Sequence, residues 1–223
     1  MMNRRNRRLL AAALLVAAAA STSSPTLAQD ASSGTFGKVT PQSKTNVVVI
    51  GENPAVRKLD KEGGQAVASA EIFRVTWSPA GAGTVCVVTV HGQAGSMGDL
   101  HIAIYDSKTL YDYMIKEVRP DYASYTPVHG SITQRDSMAG GFSRTETCRT
   151  SEHSIELVWN KLQTPRFTDI SMFNNTTQMA LNMIPASSGD IIVDGKPAPG
   201  TWYAQGGGIA SGAYLTLGET WRR

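Results

Sequence analysis

Apolar and polar positions alternate in short runs along most of the chain. In EIFRVTWS, Glu71 to Ser78, the side chains of Ile72, Arg74 and Thr76 fall on one side and those of Phe73, Val75 and Trp77 on the other. LHIAIY, Leu100 to Tyr105, sets Leu100, Ile102 and Ile104 against His101, Ala103 and Tyr105. HSIELVWNKLQ, His153 to Gln163, sets Ile155, Leu157 and Trp159 against Glu156, Val158 and Asn160. A period of two is that of a half-buried strand. TVCVVTV, Thr84 to Val90, is apolar on both sides and predicts a strand in the middle of a sheet.

Further strands are expected in NVVVIG (Asn46 to Gly51), in GGFSRTETCRT, and near Ala213 to Leu217. TTQMALNMI, Thr176 to Ile184, fits a strand through Met179, Leu181 and Met183, and a helical turn through Met179, Met183 and Ile184. Bounded by NNTT and Pro185, it is assigned as a short strand. DIIVDGKPAPGTWYA predicts a strand, a turn at Asp194-Gly195 and a return strand around Thr201 to Tyr203.

One stretch changes period. Ser107 can cap SKTLYDYMIKEV, where Leu110, Tyr111, Met114, Ile115 and Val118 share a stripe, and Arg119-Pro120 ends it. The chain has no internal repeat. It is expected to be mainly β: a single-domain β-sandwich or partly open β-barrel with one inserted α-helix at about Ser107 to Val118.

The first 28 residues read differently. Arg4, Arg5, Arg7 and Arg8 precede the apolar run LLAAALLVAAAA, and small residues lead to a cut after Ala28. This is the pattern of a secretory signal peptide. The run is too short to span a bilayer, which takes about 20 apolar residues. Arg7-Arg8 leaves both general secretory and twin-arginine export open. Residues 29–45 are polar and aperiodic, as in a disordered mature N-terminus, and residues 46–223 form the β-rich domain.

The leader carries four of the 21 basic residues and none of the 18 acidic ones, so the mature chain has a net charge of −1. That removes any electrostatic argument for nucleic acid or an anionic membrane. The two cysteines, Cys86 and Cys148, are expected to form a disulfide in a periplasmic or secreted protein.

Candidate chemistry centres on VVTVHGQAGSMGDL, Val87 to Leu100. Over about ten residues VVTVHGQAGS resembles the strand and His-Gly loop that helps build the oxyanion hole of α/β-hydrolases, and AGSMG places Ser96 in an elbow-like setting. The resemblance implies hydrolysis with Ser96 as nucleophile, and His153 and Asp136 would be its partners. An elbow, however, needs a helix directly behind the serine, and DLHIAIYD reads as a strand. The segment is therefore expected to be the bend of a hairpin.

His91 and His101 would flank that bend, and with Asp99 they form the candidate zinc or copper set, although no H-x-H or H-x-x-x-H spacing supports it. Trp202 and Trp221 follow loop-like segments and are candidates for stacking on a sugar, whereas Trp77 and Trp159 are expected in the core.

No cofactor is implied. The expected function is an exported, non-catalytic binding or accessory module for a small ligand, glycan or protein. The alternatives are a small secreted hydrolase or metal-dependent enzyme using the His91-Gly92/Ser96 loop, and an envelope structural or assembly protein.

Overall fold

The computed structural model describes residues 47–92, 98–172, 177–203 and 212–222. Among these residues thirteen strands form one continuous hydrogen-bonded sheet that folds into two facing layers. The first layer contains β1 (Val47–Glu52), β2 (Ala55–Leu59), β3 (Ala66–Trp77), β4 (Gly83–Val90), β5 (Leu100–Tyr105) and β6 (Thr126–His129). β13 (Ala213–Arg222) and β10 (Arg166–Met172) complete it. The second layer contains β7 (Ser131–Ser137), β8 (Ser143–Arg149), β9 (Ser154–Leu162) and the short β12 (Lys196–Pro197).

A single strand, β11 (Thr177–Val193), belongs to both layers. Its first half pairs with β10 and β13 and its second half with β9 and β12. Pro185 does not end this strand, contrary to the expectation from sequence. It stands where the partner changes, paired with Tyr214 of β13 while Ala186 already pairs with Leu162 of β9. A residue without an N–H is tolerated where a ladder breaks.

β5 and β6 are parallel, which requires a crossover, and the expected helix supplies it. α1 (Lys108–Tyr113) starts at Ser107, whose hydroxyl accepts the Leu110 N–H at 3.3 Å, and continues as a π-helical turn over Met114–Val118. It lies on the outer face of the first layer, packing Leu110, Tyr111, Met114 and Val118 with Phe73, Val75, Val85, Val87 and Ala103. β4 is thus covered on both faces, as its continuous apolar run predicts. After β6 the chain changes layer through Gly130, where a Cβ would lie 2.3 Å from the Arg149 carbonyl oxygen.

The layers meet in a core of Ile72, Val88 and Ile104 from one side and Ile155, Leu157 and Trp159 from the other. Trp159 is fully buried, and its indole N–H donates to the Ala55 carbonyl across the layers at 2.9 Å. Cys86 of β4 and Cys148 of β8 are joined by a disulfide through this core. Nearer one end, Arg74 reaches from β3 to the fully buried Glu146 of β8, and Arg144 binds Asp136 at 2.8 Å.

Two other expectations need correction. Trp77 is not core: β3 carries an extra residue, Thr76, between the positions facing Ile50 and Gly51, and Trp77 beyond it is 47% exposed. The return strand after Asp194-Gly195 is β12, two residues long, and Thr201 makes only an isolated bridge to Leu59. The turn itself is as expected, with φ of 52° at Asp194 and 76° at Gly195, the pair of left-handed residues of a type I′ turn.

The disulfide closes a sequence separation of 62 residues. In the chain-entropy account, Cys86→Ser is expected to cost about 4 kcal/mol of stability. Equilibrium denaturation measures this, with Cys148 becoming reactive to a thiol reagent only on unfolding; an unchanged midpoint would contradict it.

Candidate functional site

The outer face of the first layer is only partly covered by the helix. Beyond Val118 a cavity of about 330 Å³ opens over β2, β3, β11 and β13. Strand alternation supplies its lining: Ala55 and Arg57 from β2, Ser69 and Glu71 from β3, Tyr214 and Thr216 from β13, and Met179 and Leu181 from β11. The small side chains of Ala55 and Ser69 leave the space.

Strict alternation would send Glu219 and Trp221 to the opposite face from Tyr214 and Thr216. A bulge prevents this. Ala180 pairs with Thr220 but Asn182 pairs with Leu217, so β13 carries one extra residue there, and Gly218 takes φ of 72°. One extra residue reverses the parity of everything after it. Glu219 and Trp221 therefore line the same cavity. Trp221 is 1% exposed, packed edge-on against Phe73, so the expectation of an accessible sugar-stacking ring is wrong for it. Trp202 is half-buried against the core between the layers.

One wall is an ion cluster. The Arg119 guanidinium donates from Nη1 to Glu71 Oε2 at 2.6 Å and from Nη2 to Asp121 Oδ2 at 2.8 Å, and lies 4.0 Å from the Tyr122 ring centroid. Burial works against its charge, but Glu71 and Asp121 outweigh it and hold its pKa above the ordinary value. The same burial, with Glu71 nearby, raises the Tyr122 phenol.

Glu219 is buried and differently placed. Its Oε2 accepts the Trp221 indole N–H at 2.7 Å, and its Oε1 has no hydrogen-bond partner among the described residues. Burial pushes its pKa from 4.5 up to about 7; Trp221 and Thr216 oppose the shift, Glu71 adds to it and Arg119 reduces it. The carboxyl is thus close to half-protonated at neutral pH, inside a mostly apolar cavity.

The other sequence-predicted residues are dispersed. Ser96 lies outside the described residues. Behind its loop comes β5, antiparallel to β4 as in a hairpin, and not a helix. His153 and Asp136 are not together: His153 Nδ1 is 2.9 Å from Asp194 Oδ2, while Asp136 is held by Arg144. The Ser154 N–H and His153 keep the Asp194 carboxyl below its ordinary range. His153 and Asp194 line a second depression, of about 310 Å³, with Asp99 and Lys196.

His91 and His101 do meet, with ring centroids 5.3 Å apart, but Asp99 Oδ1 accepts the Gly92 N–H at 2.7 Å. Among the described residues no three His, Cys, Asp or Glu side chains are placed to hold a metal ion. No helix among them is long and apolar enough to cross a membrane.

The fold and site together define a disulfide-linked two-layer β protein with a cavity on its outer face. Comparison with protein-family models, curated proteins and solved structures returned no match.

Sequence reasoning missed Glu71, Arg119 and Glu219. The single available signal was Gly218, whose bulge cannot be recognised until the register of β13 against β11 is known.

The raised Glu219 pKa sets a pH dependence. The folded state holds the proton between pH 4.5 and about 7 while the unfolded chain releases it, so this contribution to stability is full at low pH and lost as pH rises through about 7. Glu219→Gln is expected to remove that loss, worth about 3 kcal/mol at most. Urea denaturation of both proteins across this range measures it; parallel pH profiles would contradict it.

Proposed function

We propose that the chain is an exported, non-catalytic binding module that holds a small ligand in the outer-face cavity. The observation that carries this reading is the cavity itself: an apolar floor on four strands, with Glu219, Tyr214 and the Glu71–Arg119 pair converging on it. Pockets that bind small molecules are mostly apolar, with a few placed polar groups that fix orientation. A titratable group displaced toward neutrality in such a cavity marks a functional position. Export is supported by the leader pattern of residues 1–28 and by the disulfide, which suits an oxidising compartment.

The reading is tested by filling the space. Ser69→Leu puts an apolar side chain into the cavity and leaves every residue of the ion cluster in place. It is expected to weaken binding of 1-hexanol, followed by calorimetry, by about tenfold or more while leaving the melting temperature unchanged or higher. Equal binding by both proteins would overturn the reading.

A hydrolase is the second reading, favoured by one observation: the His153–Asp194 pair shares its depression with Gly98 and Asp99, at the end of the Ser96 loop. A fluorophosphonate is expected to leave the chain unlabelled; labelling at Ser96 would make the hydrolase the better account.

A further inference from the structure

We infer that the ligand of this cavity is a small organic cation: an ammonium group on an apolar body, with the ammonium against Glu219 and the body against Met179, Leu181 and Trp221. The inference rests on the binding reading and names its ligand class. It starts from Glu219 Oε1, a buried carboxylate oxygen with no hydrogen-bond partner among the described residues, on a residue that lines the cavity. A buried polar atom left unsatisfied is costly, and a carboxylate is satisfied best by a charged N–H donor.

The charges around it point the same way. Arg57, Arg119, Glu71 and Glu219 line the cavity, Arg119 is paired with Glu71, and Asp121 is bound to Arg119. The titratable neighbours Tyr214 and Tyr122 are both held neutral by burial. With Glu219 ionised, Arg119 stands among three carboxylates, Glu71, Asp121 and Glu219, and a positive charge on the ligand offsets the excess. Arg119 cannot swing over to supply it, because Glu71 and Asp121 hold its guanidinium from both sides. The aromatic residues Tyr214 and Trp221 next to Glu219 add faces that attract cations.

A neutral alcohol would fit the apolar floor equally well, and its hydroxyl can bond Glu219 in either protonation state. An anionic head would meet Glu71 and Glu219. A cation stabilises the ionised carboxylate by charge as well as by hydrogen bonding, which makes its affinity depend on pH in a defined direction: stronger above the Glu219 pKa and weaker below it.

The test compares n-hexylammonium, 1-hexanol and hexanoate, equal in chain length and differing in head charge, by calorimetry on the mature chain at about pH 8 and about pH 6. At the higher pH hexylammonium is expected to bind about tenfold or more tighter than hexanol. That advantage should shrink at the lower pH and vanish in Glu219→Gln, which should still bind hexanol. Equal affinity for hexylammonium and hexanol, or tightest binding by hexanoate, would overturn the cation assignment while the cavity reading stands. If none of the three binds, both fall.

Discussion

Between Leu217 and Thr220, β13 has one residue more than β11 opposite it, and every side chain beyond that point changes face. Gly218 absorbs the extra length at a positive φ that other residues adopt only with strain. The consequence is chemical. A carboxylate and an indole that alternation would turn toward the second layer are delivered instead to the outer face, where the cavity lies. Remove the bulge and the lining loses Glu219, the acid not paired with Arg119, and its largest aromatic.

The cavity has a cause in the rest of the fold. The first layer is apolar on both faces, so its outer face needs a cover. Among the described residues it is covered by the helical crossover from Lys108 to Val118, which packs on β3, β4 and β5 and reaches β1 through Tyr113, and by Tyr122 and Tyr125 beyond it; the cavity opens beside them over β11 and β13. Arg119, immediately after the crossover, closes the nearer side with its ties to Glu71 and Asp121. A buried arginine bound to two carboxylates is weak support for stability, since desolvation offsets most of the attraction. Its place at the wall of a cavity gives it a second use, fixing where the unbalanced charge falls.

Much of this architecture was legible in the chain. β4, β5 and β9 follow from alternation and apolar runs, the helix from its stripe and its Ser107 cap, and the disulfide from an isolated pair of cysteines. The failures share a physical origin. Trp77 leaves its expected core position because it follows a bulge, a relation between two strands that one strand's pattern does not contain; Trp221 lies not after a loop but near the end of β13, with its ring packed on Phe73. Pro185 looked like an end because its missing N–H matters inside a ladder; it sits where β11 trades one partner for another. The site suffered most: Glu71, Arg119 and Glu219 are far apart in sequence, Glu71 and Glu219 being brought together by strand register and Arg119 by the crossover that ends beside them.

The central claim is that Glu219, turned onto the outer face by the bulge, is held against the Trp221 indole N–H as a buried carboxyl that titrates near neutrality. The indole N–H resonance of Trp221, followed by NMR through neutral pH, reads that pair directly. It is expected to shift with a midpoint of about 7 and to become insensitive to pH in Glu219→Gln. A resonance that ignores pH in the unaltered chain, or titrates just the same without the carboxylate, would contradict the account.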